Sequence, residues 1–247
     1  MALPPQSMYE PRFYRFWSAD KDLVSFNVTV KETDLYVRAR RDLQSETRET
    51  VVKERAALED YIKHHPGFSV AMTPYPIEDD APGIVREIAE AAEKTGVGPM
   101  AAVAGAIAER VGKALMEFSP EVIVENGGDI FLKSLKKRTV GIYAGNSPFS
   151  DRLALEIQPS ETPLGICTSS GTVGHSLSLG KADAVIVLSP CTALADAAAT
   201  AVGNLIEEEA DIPRGLDFAR EIDGLSGVVI IKNEKMALWG QVQIVRR

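Results

Sequence analysis

The stretch Val122-Ile123-Val124-Glu125-Asn126-Gly127-Gly128-Asp129-Ile130-Phe131-Leu132 decides the fold. Two runs of β-branched and aromatic residues flank four turn-forming ones, which reads as strand, tight turn, strand. Paired glycines suit a hairpin because they accept positive φ. The same bare backbone can cradle an anion or a planar ring, with Asp129 orienting a ligand hydroxyl or amine. Both readings stay open on these residues alone.

Beyond this hairpin, strands dominate. Segments 140–144, 153–157 and 164–167 are strand candidates, and Ala184-Val185-Ile186-Val187-Leu188 is a continuous apolar run, expected of a central strand buried on both faces. Thr192 to about Glu208 reads as a helix, and 227–231 with 237–245 as a last hairpin across Asn233-Glu234-Lys235. Upstream of the deciding stretch, one helix is expected over 82–95, stopped by Gly96. A second opens at Pro99, a favoured first-turn residue. The first half of that second helix is unusually small (Ala101, Ala102, Ala104, Gly105, Ala106, Ala108), which admits either close helix packing or a ligand. Further back, 13–16 is β-prone, 25–30 and 34–39 alternate as strands joined through Glu32-Thr33-Asp34, and 43–65 is helical until Pro66-Gly67 stops it. Helices grouped between blocks of strands favour an α+β fold with mixed or antiparallel sheets. A single domain over 1–247 is expected, with a sub-division near 73–83, where prolines gather at 74, 76 and 82.

Composition narrows the function classes. The chain has 247 residues, 45% hydrophobic and 25% charged, ample for a core and unlike a disordered chain. A net charge of −8 argues against a general nucleic-acid grip. Two cysteines cannot build a disulfide framework, which points to a reducing compartment. Neither a secretory signal nor an apolar run of about 20 residues is evident, so no membrane association and a cytoplasmic location are expected. A homodimer is the default expectation for an oligomer.

Two further segments could carry chemistry. Thr168-Ser169-Ser170-Gly171-Thr172-Val173-Gly174-His175-Ser176 follows an apolar strand with a run of hydroxyls, two glycines and a histidine. It can donate several hydrogen bonds to phosphate or carbonyl oxygens, and His175 could act as an acid–base group; a plain polar surface loop is the alternative. Cys191-Thr192-Ala193-Leu194-Ala195-Asp196-Ala197-Ala198-Ala199-Thr200 opens a helix after the buried strand. Asp196 and Thr200 are four apart and share a face, supplying hard oxygen ligands suited to Mg²⁺. The alternative has Asp196 only complementing the helix dipole and Thr200 bonding back to the helix.

Taken in this order, the segments resemble the ApbE-like family, the FAD:protein FMN transferases. Residues 126–129 are similar to its Gly-Gly-Asp turn, 168–171 to its Thr-Ser-Gly segment with one extra serine, and Ala195-Asp196-Ala197 with Thr200 to its Ala-Asp-Ala-x-x-Thr metal motif. His175 falls near the family's downstream histidine, and Ala104-Gly105 ahead of Glu109 resembles its Lys-Gly, with alanine in place of the lysine. After His175 comes Ser176-Leu177-Ser178-Leu179-Gly180 rather than the family's Asp-Pro-x-Thr-Gly. The resemblance covers roughly 97–206 and suggests a divergent cytoplasmic branch. It implies an ApbE-like fold and Mg²⁺-assisted cleavage of FAD, with FMN passing to a threonine of an acceptor protein. It implies catalytic roles for His175 and Asp196, and a metal held by Asp196, Thr200 and a backbone carbonyl near Val103. Flavin-nucleotide contacts would come from Gly127, Gly128, Asp129, Thr168, Ser169, Ser170, Gly171 and His175. Two alternatives stand beside it. Cys191, at a helix start whose dipole lowers a thiol's pKa, or Cys167 could carry sulfur as a persulfide in anaerobic sulfur assimilation. A non-catalytic binder of flavin, nucleotide or another small molecule is the other.

Overall fold

The structure, a computed structural model, describes residues 22–172 and 179–247. The β-prone run at 13–16 and His175 therefore lie outside the described residues. In chain order the strands are β1 (Val24–Val30), β2 (Thr33–Ala39), β3 (Val122–Asn126), β4 (Asp129–Lys133), β5 (Arg138–Gly141), β6 (Leu153–Ile157), β7 (Leu164–Ser169), β8 (Ala184–Ser189), β9 (Gly227–Lys232), β10 (Lys235–Gly240) and β11 (Ile244–Arg246). The helices are α1 (Gln44–His64), α2 (Pro66–Val70), α3 (Gly83–Thr95), α4 (Val103–Leu115), α5 (Thr192–Gly203) and α6 (Ile212–Arg220).

The fold is α+β with antiparallel sheets. Eight strands pair in the order β1-β2-β3-β4-β7-β8-β9-β10, and three more in the order β11-β6-β5. The alternation of side chains splits the large sheet into two faces. One carries Val37, Val124, Phe131, Val187 and Ile230 under the helices. The other carries Ile123, Leu132, Ile166, Ile186 and Val229, and packs with Ile142, Leu155 and Ile157 of the small-sheet region. The continuous apolar run 184–188 is β8, buried along its whole length because both faces are covered. Val51 and Phe68 share one cluster with Ile84 and Val97, so the core runs across the segment at 73–83.

Several boundaries differ from the sequence expectation. The first hairpin turns at Lys31-Glu32 rather than 32–34, with Lys31 at φ +52 and Val30 paired to Thr33. Pro66 ends α1 but opens α2, since a proline fits a helix's first turn. Pro99–Ala102 is a short 3₁₀ turn, and α4 proper starts at Val103. The strand expected over 140–144 runs over Arg138–Gly141 instead. The helix from Thr192 ends at Gly203, well before Glu208, and α6 follows. The segment read as one strand over 237–245 is two, because the chain leaves the large sheet after Gly240 and β11 pairs with β6.

A polar post stands beside β3. Glu121 is fully buried. Its Oε2 accepts from Ser134 Oγ at 2.7 Å, Leu135 N–H at 3.1 Å and Arg138 at 2.8 Å, and its other oxygen accepts from Arg40. Arg138 also donates to Asp22 at 2.9 and 3.1 Å. Every oxygen and most donors of this cluster are used, as a buried charge requires.

Candidate functional site

The β3–β4 turn is a two-residue hairpin: Asn126 pairs with Asp129, and Gly127 takes φ +71. Gly128 has a second reason to be glycine. A Cβ there would lie 2.8 Å from Thr168 O, because the turn presses against the end of β7. Asn126, Asp129 and Cys167 therefore fall in one row across β3, β4 and β7, on the helix face of the sheet. Thr168 and Ser169 are the last residues of β7, beside the turn, and Ser170 follows them.

Helices α4 and α5 cover this row. A Cβ on Gly105 would meet Thr192 O at 2.5 Å and Asp196 Cβ at 2.8 Å, so the small-residue half of α4 serves close helix packing. Helix α5 is buried nearly all round, as its run of alanines predicts. Its two residues that keep partial exposure are Asp196 and Thr200, four apart and both polar. They open on the side where Val103, Ala104, Asn126, Gly127, Thr168 and Ser170 are also partly exposed. Asn126 Nδ2 donates to Ala104 O at 3.1 Å, tying the hairpin to the start of α4. Asp196 Oδ2 accepts the Gly105 N–H at 2.8 Å. Asn126 and Glu109 stand in or beside the motifs read from sequence but were given no site role there; the three-dimensional packing supplies one.

The two aspartates in this region have unusual electrostatics. Burial holds the Asp129 carboxyl above the ordinary range, against hydrogen bonds from the Cys167 thiol and the Thr168 N–H. Burial, and then the negative Asp129, push Asp196 well above its usual value, against N–H donors from Gly105 and Ala104. No Lys or Arg pairs with either aspartate among the described residues. Two carboxylates near enough to affect each other, Asp129 buried and Asp196 partly exposed, would favour a cation between them. The nearby oxygens, the Thr200 hydroxyl and main-chain carbonyls at the start of α4, are hard donors that match Mg²⁺ rather than a soft metal. The donor set thus fits the expected ion, although no group of three His, Cys, Asp or Glu side chains assembles among the described residues.

The cysteines turn out differently from the sequence expectation. Cys167 is fully buried, and its thiol is held well above the usual range by burial and by Asp129 and Asp196. Its Sγ lies 3.4 Å from Thr192 O. Cys191 does sit at the start of α5, yet its thiol is also pushed up, by burial and by Glu109. The reason is local: Glu109 Oε2 accepts the Thr192 N–H at 2.6 Å and the Ala193 N–H at 3.4 Å, so the helix start already serves a carboxylate. Raised in this way, neither thiol has the lowered pKa that favours a cysteine nucleophile.

A separate groove of about 410 Å³ is lined by Glu49, Lys53, Glu54, Glu87, Arg110 and Lys113. Arg110 and Lys113 are engaged there by Glu87, Glu54 and Glu109, which leaves little charge for a ligand. No described helix is long and apolar enough to cross a membrane.

Comparison with known proteins follows the same lines. Among solved structures, a variant of the flavin transferase ApbE from Vibrio cholerae superposes with a TM-score of 0.58 at 13% identity, covering 88% of this chain and 96% of that one. The apo flavinyl transferase ApbE of Pseudomonas stutzeri superposes with a TM-score of 0.55 at 13% identity, covering 88% and 94%. At that identity the likeness is one of fold. In sequence, the UPF0280 protein of Methanocella arvoryzae is 43% identical over 219 residues, 88% of this chain and 89% of its own. That of Methanocaldococcus jannaschii is 40% identical over 221 residues, 87% and 90%. A family model described as "AbpE bacteria" matches residues 15–233, and the chain belongs to that family.

Proposed function

We propose that the chain is a Mg²⁺-dependent flavin-nucleotide enzyme that transfers FMN from FAD to a threonine hydroxyl of an acceptor protein. One observation carries this reading. On a helix otherwise buried, the two partly exposed residues are Asp196 and Thr200, and Asp196 lies near enough to the buried Asp129 carboxyl of β4 for the two charges to act on each other.

Asp196, Thr200 and a backbone carbonyl near Val103 would hold the cation, with Asp129 contributing negative charge from the sheet side. When bound, Mg²⁺ neutralises charge on the transferring phosphoryl group. The chain's own groups do the rest. The Thr168, Ser169 and Ser170 hydroxyls at the end of β7 would donate to phosphate oxygens, Gly171, whose N–H is held by Ala182 O, would shape the loop beside them, and Gly127-Gly128 leaves backbone open for close approach of the nucleotide. In the transfer, the phosphoanhydride bond of FAD breaks, a phosphoester forms to the acceptor hydroxyl oxygen, and AMP leaves. The acceptor proton passes to a base, the role proposed for His175. A cytoplasmic homodimer completes the reading. The sulfur-carrier alternative loses support because burial pushes both thiols up rather than down.

The test incubates purified protein with FAD and Mg²⁺ and follows FMN transfer and AMP release by chromatography. Asp196→Ala is expected to lower turnover by about 100-fold or more, as loss of a metal ligand does. Undiminished turnover in Asp196→Ala would remove the metal role. Tight flavin binding without turnover by the wild-type protein would favour a binder over an enzyme.

A further inference from the structure

We propose that Glu109 is a positioning residue: by capping α5 from α4, it sets how far Asp196 and Thr200 reach into the cleft. The inference rests on the metal role given to those two residues above.

Neither helix caps itself. The residue before α4 is Ala102 and the residue before α5 is Cys191, and neither provides a side-chain cap. Each helix is instead capped by the other. Glu109, on α4, accepts from Thr192 N–H at 2.6 Å and Ala193 N–H at 3.4 Å in the first turn of α5. Asp196, on α5, accepts from Gly105 N–H at 2.8 Å in the first turn of α4. Moving from 105 to 109 along α4 corresponds to moving from 196 back to 192 along α5, so the helices run antiparallel with Gly105 as their contact point. Lys113, with an exposed side chain, pairs with the other oxygen of Glu109 at 2.7 Å, while the two N–H groups of α5 hold the buried one. Glu109 is only 4% exposed. Ordinary helix packing would place an apolar residue there, and a buried acid earns its place by the N–H groups it satisfies.

The consequence is mechanical. Asp196 lies one turn beyond the N–H groups that Glu109 holds. Sliding α5 along α4 would move the Asp196 and Thr200 oxygens together, relative to the carbonyls at the start of α4 and to Asp129 on the sheet. A metal site tolerates little such movement, and groups that orient ligands are typically worth about 10- to 100-fold in affinity.

The experiment measures Mg²⁺ affinity by calorimetry and exchange of the Thr192 and Ala193 amides by NMR, on the full chain. Glu109→Ala is expected to weaken Mg²⁺ binding by about tenfold or more and to speed exchange of both amides by a similar factor. Glu109→Gln keeps an acceptor oxygen, so it should bind within about threefold of wild type, as should Lys113→Ala. Should Glu109→Ala fail to fold, Glu109→Asp takes its place: the shorter side chain is expected to weaken Mg²⁺ binding by about three- to tenfold. Glu121→Gln, which destabilises the fold from outside the cleft, should leave the affinity unchanged. The proposal is overturned if Glu109→Ala, or Glu109→Asp where that stands in, binds Mg²⁺ like wild type while its amides exchange freely. Glu121→Gln weakening Mg²⁺ binding as much would overturn it too, since stability alone would then explain the loss. Unchanged amide exchange in Glu109→Ala refutes the cap. Wild-type protein that takes up no Mg²⁺ refutes the metal reading instead, whatever the amides do.

Discussion

Glu121 and the Asp129–Asp196 pair are buried carboxylates within one fold, yet they live under opposite conditions. Burial would raise Glu121, but hydrogen bonds from Ser134, Arg138 and the Leu135 N–H outweigh it and hold it at about 2. Asp129 and Asp196 have a thiol and a few backbone N–H groups for partners, and both are held high. The difference lies in the positive charge supplied. Arg138 and Arg40 converge on Glu121, whereas Ala104 stands where the family resemblance places a lysine near Asp196. A carboxylate whose charge is matched within the chain is a structural post. The other pair has no such match among the described residues, and the proposed cation would supply it.

The sharpest way to break this contrast is at the post. Glu121→Ala leaves Arg138, with a side chain 5% exposed, without its buried partner. A loss of about 3 kcal/mol is expected, read from urea denaturation midpoints, because Arg138 keeps Asp22 but loses its buried partner, and Ser134 and the Leu135 N–H lose their acceptor. Mg²⁺ affinity should not move. A loss below about 1 kcal/mol would mean the cluster is not the saturated network described.

A smaller effect is expected at the contact between the helices. Gly105→Ala places a Cβ 2.5 Å from a backbone oxygen, Thr192 O, which has no flexible end to yield. Prying α4 from α5 should cost about 1–3 kcal/mol. Unlike Glu121→Ala, it should also weaken Mg²⁺ binding, because the Gly105 N–H holds Asp196. Destabilisation with intact metal affinity would separate helix packing from the site and blur the contrast between the two regions.

Much of the fold was legible in local pattern. The run 184–188 stood out because a strand covered on both faces has no polar positions, and Gly127-Gly128 because a two-residue turn demands positive φ. The motifs at 127–129, 168–170 and 196–200 do meet, since β4 pairs with β7 and α5 lies over them. What escaped notice depends on partners far away in the chain. Glu109 and Thr192 are 83 residues apart, and Glu121 and Arg40 are 81 apart. Nothing in the residues around Glu109 distinguishes a buried cap from a solvated helix acid. The same limit explains the cysteines. A thiol at a helix start is activated only if the N–H groups there are free, and occupation by a distant carboxylate cannot be read from Cys191 and its neighbours. Helix α6 falls between the helix expected to about Glu208 and the strand at 227–231, a segment to which no element was assigned; Pro213 sits in its first turn and Gly215 packs against Ile206 and Ile230.

The smallest effect carries the most information, because its sign differs between the two regions. Glu121 is held below its unfolded value, so its contribution is present above about pH 4.5 and is lost as pH falls toward 2. Asp129 is held above its unfolded value of 3.8, so the native state binds the extra proton and stability falls as pH rises from about 4 through the raised pKa. Asp129→Asn removes that penalty while keeping the shape. In metal-free protein at pH 8 the variant should be more stable than wild type by about 1–2 kcal/mol, and the gap should close near pH 4. Saturating Mg²⁺ should reverse the order. At 100 times its Kd a ligand adds about 2.7 kcal/mol to a protein that binds it, and the variant, short of one negative charge in the cleft, should gain less. Thermal unfolding at pH 4 and pH 8, with and without Mg²⁺, reads all four corners. If Asp129→Asn were instead destabilising at pH 8 without metal, Asp129 would be a matched carboxylate like Glu121, and the charge deficit assigned to the cleft would not exist.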